Sequence, residues 1–351
     1  MLLLPLLLPI LCFLATPGAA AVPSSRNSAI LFPGPIACTA PSGQPGVCVL
    51  PRDCPAERGP PSTEACGFER GSRHLKHCCE QTAVESVLPE DCGRGGFSSQ
   101  GGIVPNIVNG RPAERAGWPW AAVVGLKQSD GSVRWLCGAA LIGARHVLTA
   151  AHCLVAAPDE LVVRLGEHDL RTADDGDHQD RNVSRAVRHP SFHRSQNDVA
   201  LLELDRPAQL SDAVQPVCLP EPSQALAGRA GWVVGWGALN FEGPTASVLQ
   251  EALVTVQPVD ECEATFKQAP QYSFRFPDGF AGRVLCAASR RGMDSCTGDS
   301  GGPLSLKRPD GRYQVIGLVL EGIGCGSLLY PGLYTRVASY VDFIRKEASR
   351  S

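Results

Sequence analysis

The sequence predicts an all-β main domain that ends in a helix and follows a small, disulfide-knotted segment. From Ile107 onward, short apolar or β-branched runs recur between turn residues, a spacing typical of a β-sandwich or β-barrel. Residues 38–79 hold six cysteines among many Pro and Gly. Tyr340–Ser351 places three apolar residues among charges, as in a helix packed on a barrel. The clearest predicted strands are Ala121–Leu126, Leu161–Leu165 and Gln314–Val319.

The first 21 residues are predicted to be a signal peptide. Met1–Leu14 is almost wholly apolar, and the small residues of Pro17–Ala21 suit a cleavage site. A transmembrane anchor is the alternative, but it needs roughly 20 apolar residues. Because Pro17 and Gly18 interrupt the run before that length, we expect a secreted, extracellular protein.

The cysteine count agrees with an oxidising compartment. The chain has 15 cysteines. Removal of Cys12 with the signal peptide leaves 14, enough for seven disulfides. Zinc binding is disfavoured because paired metal-ligand spacing is missing and the adjacent Cys78 and Cys79 suit bridging better. The net charge of −3 gives no reason to expect nucleic acid or a membrane as partner, so a protein partner is the default.

Composition divides the rest of the chain into three parts. Residues 37–80 contain too few apolar residues for an unaided core, so disulfides must hold them together. Residues 81–106 are rich in turn-forming residues and are predicted to be a linker or propeptide attached at one point, Cys92. Residues 107–351 form the predicted main domain.

Three segments of the main domain predict nucleophilic catalysis. Leu148–Cys153 contains His152, Asn197–Leu202 contains Asp198, and Cys296–Pro303 contains Ser300. Singly, each has an ordinary structural explanation as a core histidine, a turn or a glycine-rich loop. Together they supply what a serine hydroxyl needs: a histidine to accept its proton and a carboxylate to orient the imidazole.

These segments resemble those of the trypsin/chymotrypsin family, and the resemblance extends over residues 107–351. The cysteine order of residues 38–79 resembles the clip domain of arthropod clip-domain serine proteases. The resemblance implies a chymotrypsin-like double six-stranded β-barrel with a C-terminal helix, preceded by a small clip domain. It also implies a serine endopeptidase made as a zymogen, with no required cofactor.

The family's site residues carry over onto matching positions. Ser300 is then the nucleophile, His152 the general base and acid, and Asp198 the orienting carboxylate, while the N–H groups of Gly298 and Ser300 form the oxyanion hole. Asp294 matches the base of the specificity pocket and predicts cleavage after Arg or Lys; alternatively it is a solvated loop acid. Leu320, Gly322 and Gly332 match the remaining substrate-binding positions.

The resemblance also implies seven disulfides. One of them, Cys92–Cys218, would keep the N-terminal part attached after activation. The implied pairs are Cys38–Cys78, Cys48–Cys66, Cys54–Cys79, Cys92–Cys218, Cys137–Cys153, Cys262–Cys286 and Cys296–Cys325.

Activation in this family frees an amino terminus that pairs with the aspartate before the nucleophile. The matching residues are Ile107 and Asp299. The preceding residue is Asn106, where these zymogens most often have Arg or Lys, so an ordinary trypsin-like activator should not cut there. Arg94 lies upstream, but a cut after it would expose Gly95.

A second departure lies at Leu320-Glu321-Gly322, where the family usually has Ser-Trp-Gly. The usual serine hydroxyl bonds the triad aspartate, and Leu320 lacks that hydroxyl. Loss of such a bond costs about 1–3 kcal/mol. Glu321 replaces an aromatic wall with a negative charge, which should narrow the choice of substrate residues near the cut or favour basic ones.

Two further sites are predicted. Glu167, Asp174 and Asp177 match carboxylates of the family's calcium loop, and an acidic, solvated loop is the alternative. Asn182-Val183-Ser184 is a glycosylation sequon.

The resemblance leaves two functional hypotheses open. The first is an endopeptidase of a haemolymph innate-immune cascade, acting in prophenoloxidase activation, clotting or cytokine processing, with an upstream activating protease and a serpin-type inhibitor as partners. The second is a catalytically weak clip-domain homologue that acts as a binding cofactor. Ser300 favours the enzyme, whereas Leu320 and Asn106 keep the alternative open. The clip domain and its tether disfavour a digestive trypsin.

Overall fold

The computed structural model describes residues 37–39, 45–49, 65–68, 75–80, 88–95, 111–172, 178–221, 224–238, 243–289, 298–320 and 329–350. Before residue 88, the described side chains are those of His77 and Cys78. The chain divides into two compact units, residues 1–82 and 83–351. Within the described residues, no helix has the length and apolar character needed to cross a bilayer.

The first unit contains a four-stranded antiparallel sheet with the strand order β1-β2-β4-β3. Its register places Cys48 opposite Cys78 and Val47 opposite Cys79. Cys78 is buried and disulfide-bonded. The other predicted clip-domain cysteines have side chains outside the described residues, so those pairings stay predictions. The strands are β1 (Ala37–Thr39), β2 (Pro45–Val49), β3 (Ala65–Phe68) and β4 (Leu75–Glu80).

The second unit begins with the edge strand β5 and a closed antiparallel barrel of six strands in the order β10-β11-β8-β7-β6-β9. β6 reads Ala-Ala-Val-Val-Gly-Leu-Lys, and its first five residues are buried, so both faces of this part of the strand are covered. The strands are β5 (Arg111–Pro112), β6 (Ala121–Lys127), β7 (Val133–Gly143), β8 (His146–Thr149), β9 (Leu161–Leu165), β10 (Gln179–Arg188) and β11 (Ala200–Leu204).

A second six-stranded barrel follows in the order β12-β15-β16-β17-β14-β13. Pairing of β12 with β13 closes it, and β5 adds to β13 at its edge. Its core includes Tyr334 and Ile316, both fully buried. The strands are β12 (Ala230–Gly235), β13 (Gln250–Gln257), β14 (Val284–Ala288), β15 (Pro303–Lys307), β16 (Tyr313–Val319) and β17 (Gly332–Arg336).

Three α-helices lie among the described residues of this unit: α1 (Val259–Phe266), α2 (Tyr272–Arg275) and α3 (Val341–Ala348). α3 buries Val341 and Ile344 against the barrel, which confirms the predicted C-terminal helix. Its buried Glu347 accepts from Arg185 of β10 at 3.3 Å. The two closed barrels and this helix confirm the predicted chymotrypsin-like fold.

Two indoles join the barrels. Trp120, just before β6, is fully buried, and its Nε1 donates to Ser305 Oγ of β15 at 3.0 Å. Trp118 Nε1 donates to the buried carboxylate of Glu251 in β13 at 2.7 Å. Because each buried indole N–H has an acceptor in the opposite barrel, the Trp-Pro-Trp segment fixes how the barrels meet.

Residues 88–95 are attached to the second unit more firmly than the sequence predicts. Cys92 bonds Cys218. Gly93 also donates from its N to Pro216 O at 2.7 Å and accepts at its O from Tyr313 N at 2.8 Å. Arg312 donates to Glu90 O at 2.7 Å. Hydrogen bonds within two residues of Cys92 therefore add to the predicted disulfide tether.

Candidate active site

His152 and Asp198 meet at one end of the first barrel. His152 lies in a one-turn 3₁₀ helix, Ala151–Cys153, just after β8, and Asp198 lies two residues before β11, which pairs with β8. His152 Nδ1 is 2.6 Å from Asp198 Oδ2, and His152 N donates to Asp198 Oδ1 at 2.9 Å. A carboxylate only accepts, so Nδ1 carries the proton and Nε2 is the basic nitrogen.

Asp198 is only 2% exposed, and other residues hold its backbone. Thr335 Oγ1, from β17 of the second barrel, donates to Asp198 O at 2.8 Å. The preceding Asn197 has a φ of +53°, a left-handed conformation that asparagine tolerates. Tyr340 donates to Asn197 Oδ1 at 3.2 Å. Burial raises the pKa of Tyr340 to about 12.

Ser300 lies in the turn before β15, at the junction of the barrels. The neighbouring Gly302 passes so close to Gly138 of β7 that a Cβ on Gly138 would lie 2.7 Å from Gly302 Cα. Ser300 O is 3.7 Å from Cys153 Sγ. The absence of a side chain at Gly138 therefore lets the Ser300 turn approach the turn that carries His152.

Gly298 has a φ of +99°, a conformation that strongly favours glycine. It lies two residues before Ser300, and the N–H groups of these residues were predicted to form the oxyanion hole. The intervening Asp299 accepts from Gly237 N at 2.8 Å through its Oδ1. Its predicted activation partner, Ile107, and the adjacent Asn106 lie outside the described residues.

Leu320 is 1% exposed and belongs to an apolar cluster with Leu333 and the Cys262–Cys286 bridge. Its N–H donates to Leu333 O at 3.0 Å. Its side chain has no polar atom, so among the described residues the Asp198 carboxylate accepts from His152 alone. Gly332 is the first residue of β17. Asp294, Glu321 and Gly322 lie outside the described residues.

A cavity of about 330 Å³ adjoins Gly298. Trp236 and Leu170 supply apolar walls, and Arg171 lies at the cavity. The predicted specificity-pocket residues, among them Leu320 and Gly332, are absent from its described lining. The lining is Val123, Trp135, Leu136, Cys137, Leu170, Arg171, Trp236, Thr245, Ala246, Ser247 and Gly298.

Three of the predicted disulfide pairs lie among the described residues, and the structure forms all three: Cys92–Cys218, Cys137–Cys153 and Cys262–Cys286. Cys137–Cys153 joins β7 to the turn of His152. Its sulfurs lie near the imidazole, but as disulfide sulfurs they are not thiolate metal ligands. Cys296–Cys325 lies outside the described residues.

Of the predicted calcium ligands, Glu167 is described, and it is 5% exposed. Its Oε2 accepts from Arg164 at 3.1 Å and its Oε1 from His168 N at 2.7 Å. The Arg164 guanidinium therefore places a positive charge beside the carboxylate, which disfavours a metal cation there. Asp174 and Asp177 lie outside the described residues.

Asn182, in the predicted sequon, is exposed in the middle of β10, where its Nδ2 donates to Asp205 Oδ2 at 3.1 Å.

Three residues that support the site were not predicted from the sequence: Thr335, Tyr340 and Gly138. Thr335 and Tyr340 contact residues 137 and 143 positions away, and no local motif marks them.

Comparisons with known proteins agree with the geometry. The Trypsin family model matches residues 107–344. The chain is 34% identical to "Venom serine protease Bi-VSP" of Bombus ignitus, over 95% of this chain and 85% of that protein. It is 34% identical to "Proclotting enzyme" of Tachypleus tridentatus, over 73% of this chain and 68% of that protein.

The similarity to "Serine proteinase stubble" of Drosophila melanogaster is 38% identity over 68% of this chain. The match spans only 30% of that relative's length. The family match and the two barrels lead to one conclusion: the chain belongs to the trypsin family.

Proposed function

We propose that this protein is a zymogen whose activated form cleaves protein substrates after Arg or Lys, with Ser300, His152 and Asp198 as the catalytic triad. The observation that carries the proposal is the pair of contacts between His152 and the buried Asp198, at 2.6 and 2.9 Å, with the Ser300 turn packed against the same end of the barrel.

In the proposed reaction, Ser300 Oγ bonds to the scissile carbonyl carbon and its proton passes to His152 Nε2. The carbonyl oxygen becomes an oxyanion held by the N–H groups of Gly298 and Ser300. The imidazolium then protonates the leaving amine, and the C–N bond breaks. Water, deprotonated by His152, hydrolyses the acyl ester and restores Ser300.

The preference for Arg or Lys rests on Asp294, because a carboxylate at the base of a pocket pairs with a long cationic side chain. The cavity beside Gly298 supports a further preference. Its lining combines Trp236 and Leu170 with Arg171, Thr245 and Ser247, which suits a substrate side chain with both apolar and polar groups that binds separately from the Arg or Lys.

The proposed biological setting is an extracellular proteolytic cascade whose substrate is another zymogen or a prophenoloxidase-like protein. The name of one similar protein supports it, "Proclotting enzyme". An upstream protease that cuts after Asn106 and a serpin-type inhibitor complete the proposal. The proposal also includes three features of the chain. Residues 1–21 are removed as a signal peptide, Asn182 carries a glycan, and the clip domain spans residues 37–80.

The buried Leu320 supports the second candidate, a catalytically weak homologue that acts by binding, because Leu320 offers the Asp198 carboxylate no donor. Calcium is a weaker proposal, since Arg164 already contacts Glu167. A rise of several degrees in Tm with millimolar Ca²⁺ would support it, and an unchanged Tm would argue against it.

The specificity proposal is tested with Asp294→Ser in protein activated through Asn106→Arg. We expect kcat/KM for Arg and Lys peptide substrates to fall about 10²-fold or more, because the cationic side chain loses its partner. Asp310→Ser, which removes an exposed loop aspartate, is the matched control and should leave the rates unchanged. Equal rates in the two variants would contradict the role of Asp294.

A further inference from the structure

The 3₁₀ turn that carries His152 is too short to hold its own shape. Leu154 N donates to Ala151 O at 3.3 Å, and Cys153 N donates to Ala150 O at 3.2 Å. A single turn with long hydrogen bonds is marginal alone, because fixing its dihedral angles costs more than these bonds return. Contacts from outside the turn must therefore keep the imidazole in place.

Arg188 supplies two of these contacts. Its Nε donates to Ala151 O at 3.2 Å, and its Nη2 donates to Leu154 O. The two carbonyls lie on either side of His152 in the chain. A planar guanidinium that donates to both restrains the turn more than one hydrogen bond could.

The backbone of Arg188 is fixed to the strand that follows Asp198. Arg188 is the last residue of β10 and pairs with Ala200 of β11. The next residue, His189, donates from its N to Val199 O at 3.0 Å. Arg188 therefore joins the chain segment beside Asp198 to the turn of His152. Among the described residues Arg188 forms no ion pair, and its guanidinium donates to these two carbonyls.

We propose that Arg188 is a positioning residue for His152. It holds the turn so that Nδ1 faces Asp198 and Nε2 faces the substrate. This inference rests on the proposed general-base role of His152. It predicts that loss of the guanidinium slows the chemical step and leaves substrate binding nearly unchanged, because Arg188 acts on the orientation of the imidazole.

The test compares Arg188→Met with Arg145→Met in protein activated through Asn106→Arg. Arg145 is a close match because it is also exposed and donates to two backbone carbonyls, Leu204 O at 3.5 Å and Asp205 O at 3.3 Å. It lies at the other end of β8 from His152.

We expect Arg188→Met to lower kcat about 5- to 50-fold with KM within about twofold, as for a small misplacement of a catalytic group. Arg145→Met should retain the parent kcat. Arg188→Lys should recover part of the loss, because an ammonium keeps the charge and can reach one carbonyl. Tm, measured for each variant, separates loss of stability from loss of positioning.

Equal kcat values for Arg188→Met and Arg145→Met would overturn the inference, as would a rise in KM that accounts for the whole loss of kcat/KM. If Arg188→Met fails to fold, a kcat of Arg188→Lys equal to that of the parent would overturn it. An inactive parent would instead contradict the proposed function itself.

Discussion

The two barrels contribute unequal halves of the active site. The first barrel supplies His152 and Asp198, which are held by each other, by a disulfide and by Arg188. The second supplies Ser300 and, where the family usually has a serine, the buried Leu320. The half that carries out proton transfer is therefore held by several contacts. The half from the second barrel differs from the family pattern at Leu320. The difference points to Leu320 as the position in the second half where a substitution should change the rate.

The largest expected loss of kcat follows from a substitution in the half that the first barrel supplies. Asp198→Asn should lower kcat about 10³- to 10⁴-fold, because the amide would favour the wrong imidazole tautomer. Steady-state kinetics of activated protein measure this, with Asp205→Asn as an exposed control. A loss below about tenfold would show that Asp198 does not orient His152.

In the second half, a substitution should increase activity. Leu320→Ser supplies a hydroxyl that can donate to the Asp198 carboxylate, so we expect kcat to rise about 5- to 50-fold. Stability should fall by about 2–4 kcal/mol, because a buried leucine is lost.

The control for Leu320→Ser is Leu333→Ser, which removes a leucine of the same apolar cluster that is also 1% exposed. It should lose stability without any gain in rate. If kcat of Leu320→Ser stays at or below the parent value, the missing hydroxyl is not what limits this enzyme.

Two disulfides of similar loop length allow the supports of the two barrels to be tested against each other. Cys137–Cys153 spans 16 residues in the first barrel and Cys262–Cys286 spans 24 in the second. Replacing either pair with alanines should cost about 3 kcal/mol in denaturant unfolding. Only loss of Cys137–Cys153 should also lower kcat, by about tenfold, because it holds the turn of His152. Equal kcat losses would show that the effect is general destabilisation.

The smallest expected effect is on the pH dependence of stability. His146, at the start of β8, is 1% exposed, and burial lowers its pKa below the usual 6.5. The folded state therefore keeps it neutral while the unfolded state binds a proton below about pH 6.5. His146 therefore does not lower the free energy of unfolding above that pH, and the free energy of unfolding falls as the solution is acidified below it.

We expect His146→Gln to flatten this acid dependence between about pH 6.5 and 5, measured by urea unfolding. Some dependence should remain, because burial also lowers the pKa of His189. A variant with the same pH slope as the parent would show that His146 does not contribute.

Local patterns were enough to predict an all-β main domain, the C-terminal helix and the segments around His152, Asp198 and Ser300, because each depends on a few consecutive residues. The double barrel was predicted from the family resemblance that those segments carry. The contacts that support them could not be predicted in this way. Thr335 reaches Asp198 across 137 positions, and Gly138 matters only because another chain segment passes beside it. The attachment of residues 88–95 by backbone bonds likewise depends on distant partners with no side-chain signature.

The most direct test of the central claim uses Asn106→Arg protein cut by immobilised trypsin, which is then removed, with Ile107 verified as the new amino terminus. Hydrolysis of Arg, Lys and aromatic ester and amide substrates is compared with that of Ser300→Ala treated identically. We expect cleavage after Arg and Lys that is lost in Ser300→Ala. Correctly cut protein with no activity above Ser300→Ala would contradict it and favour a homologue that acts by binding.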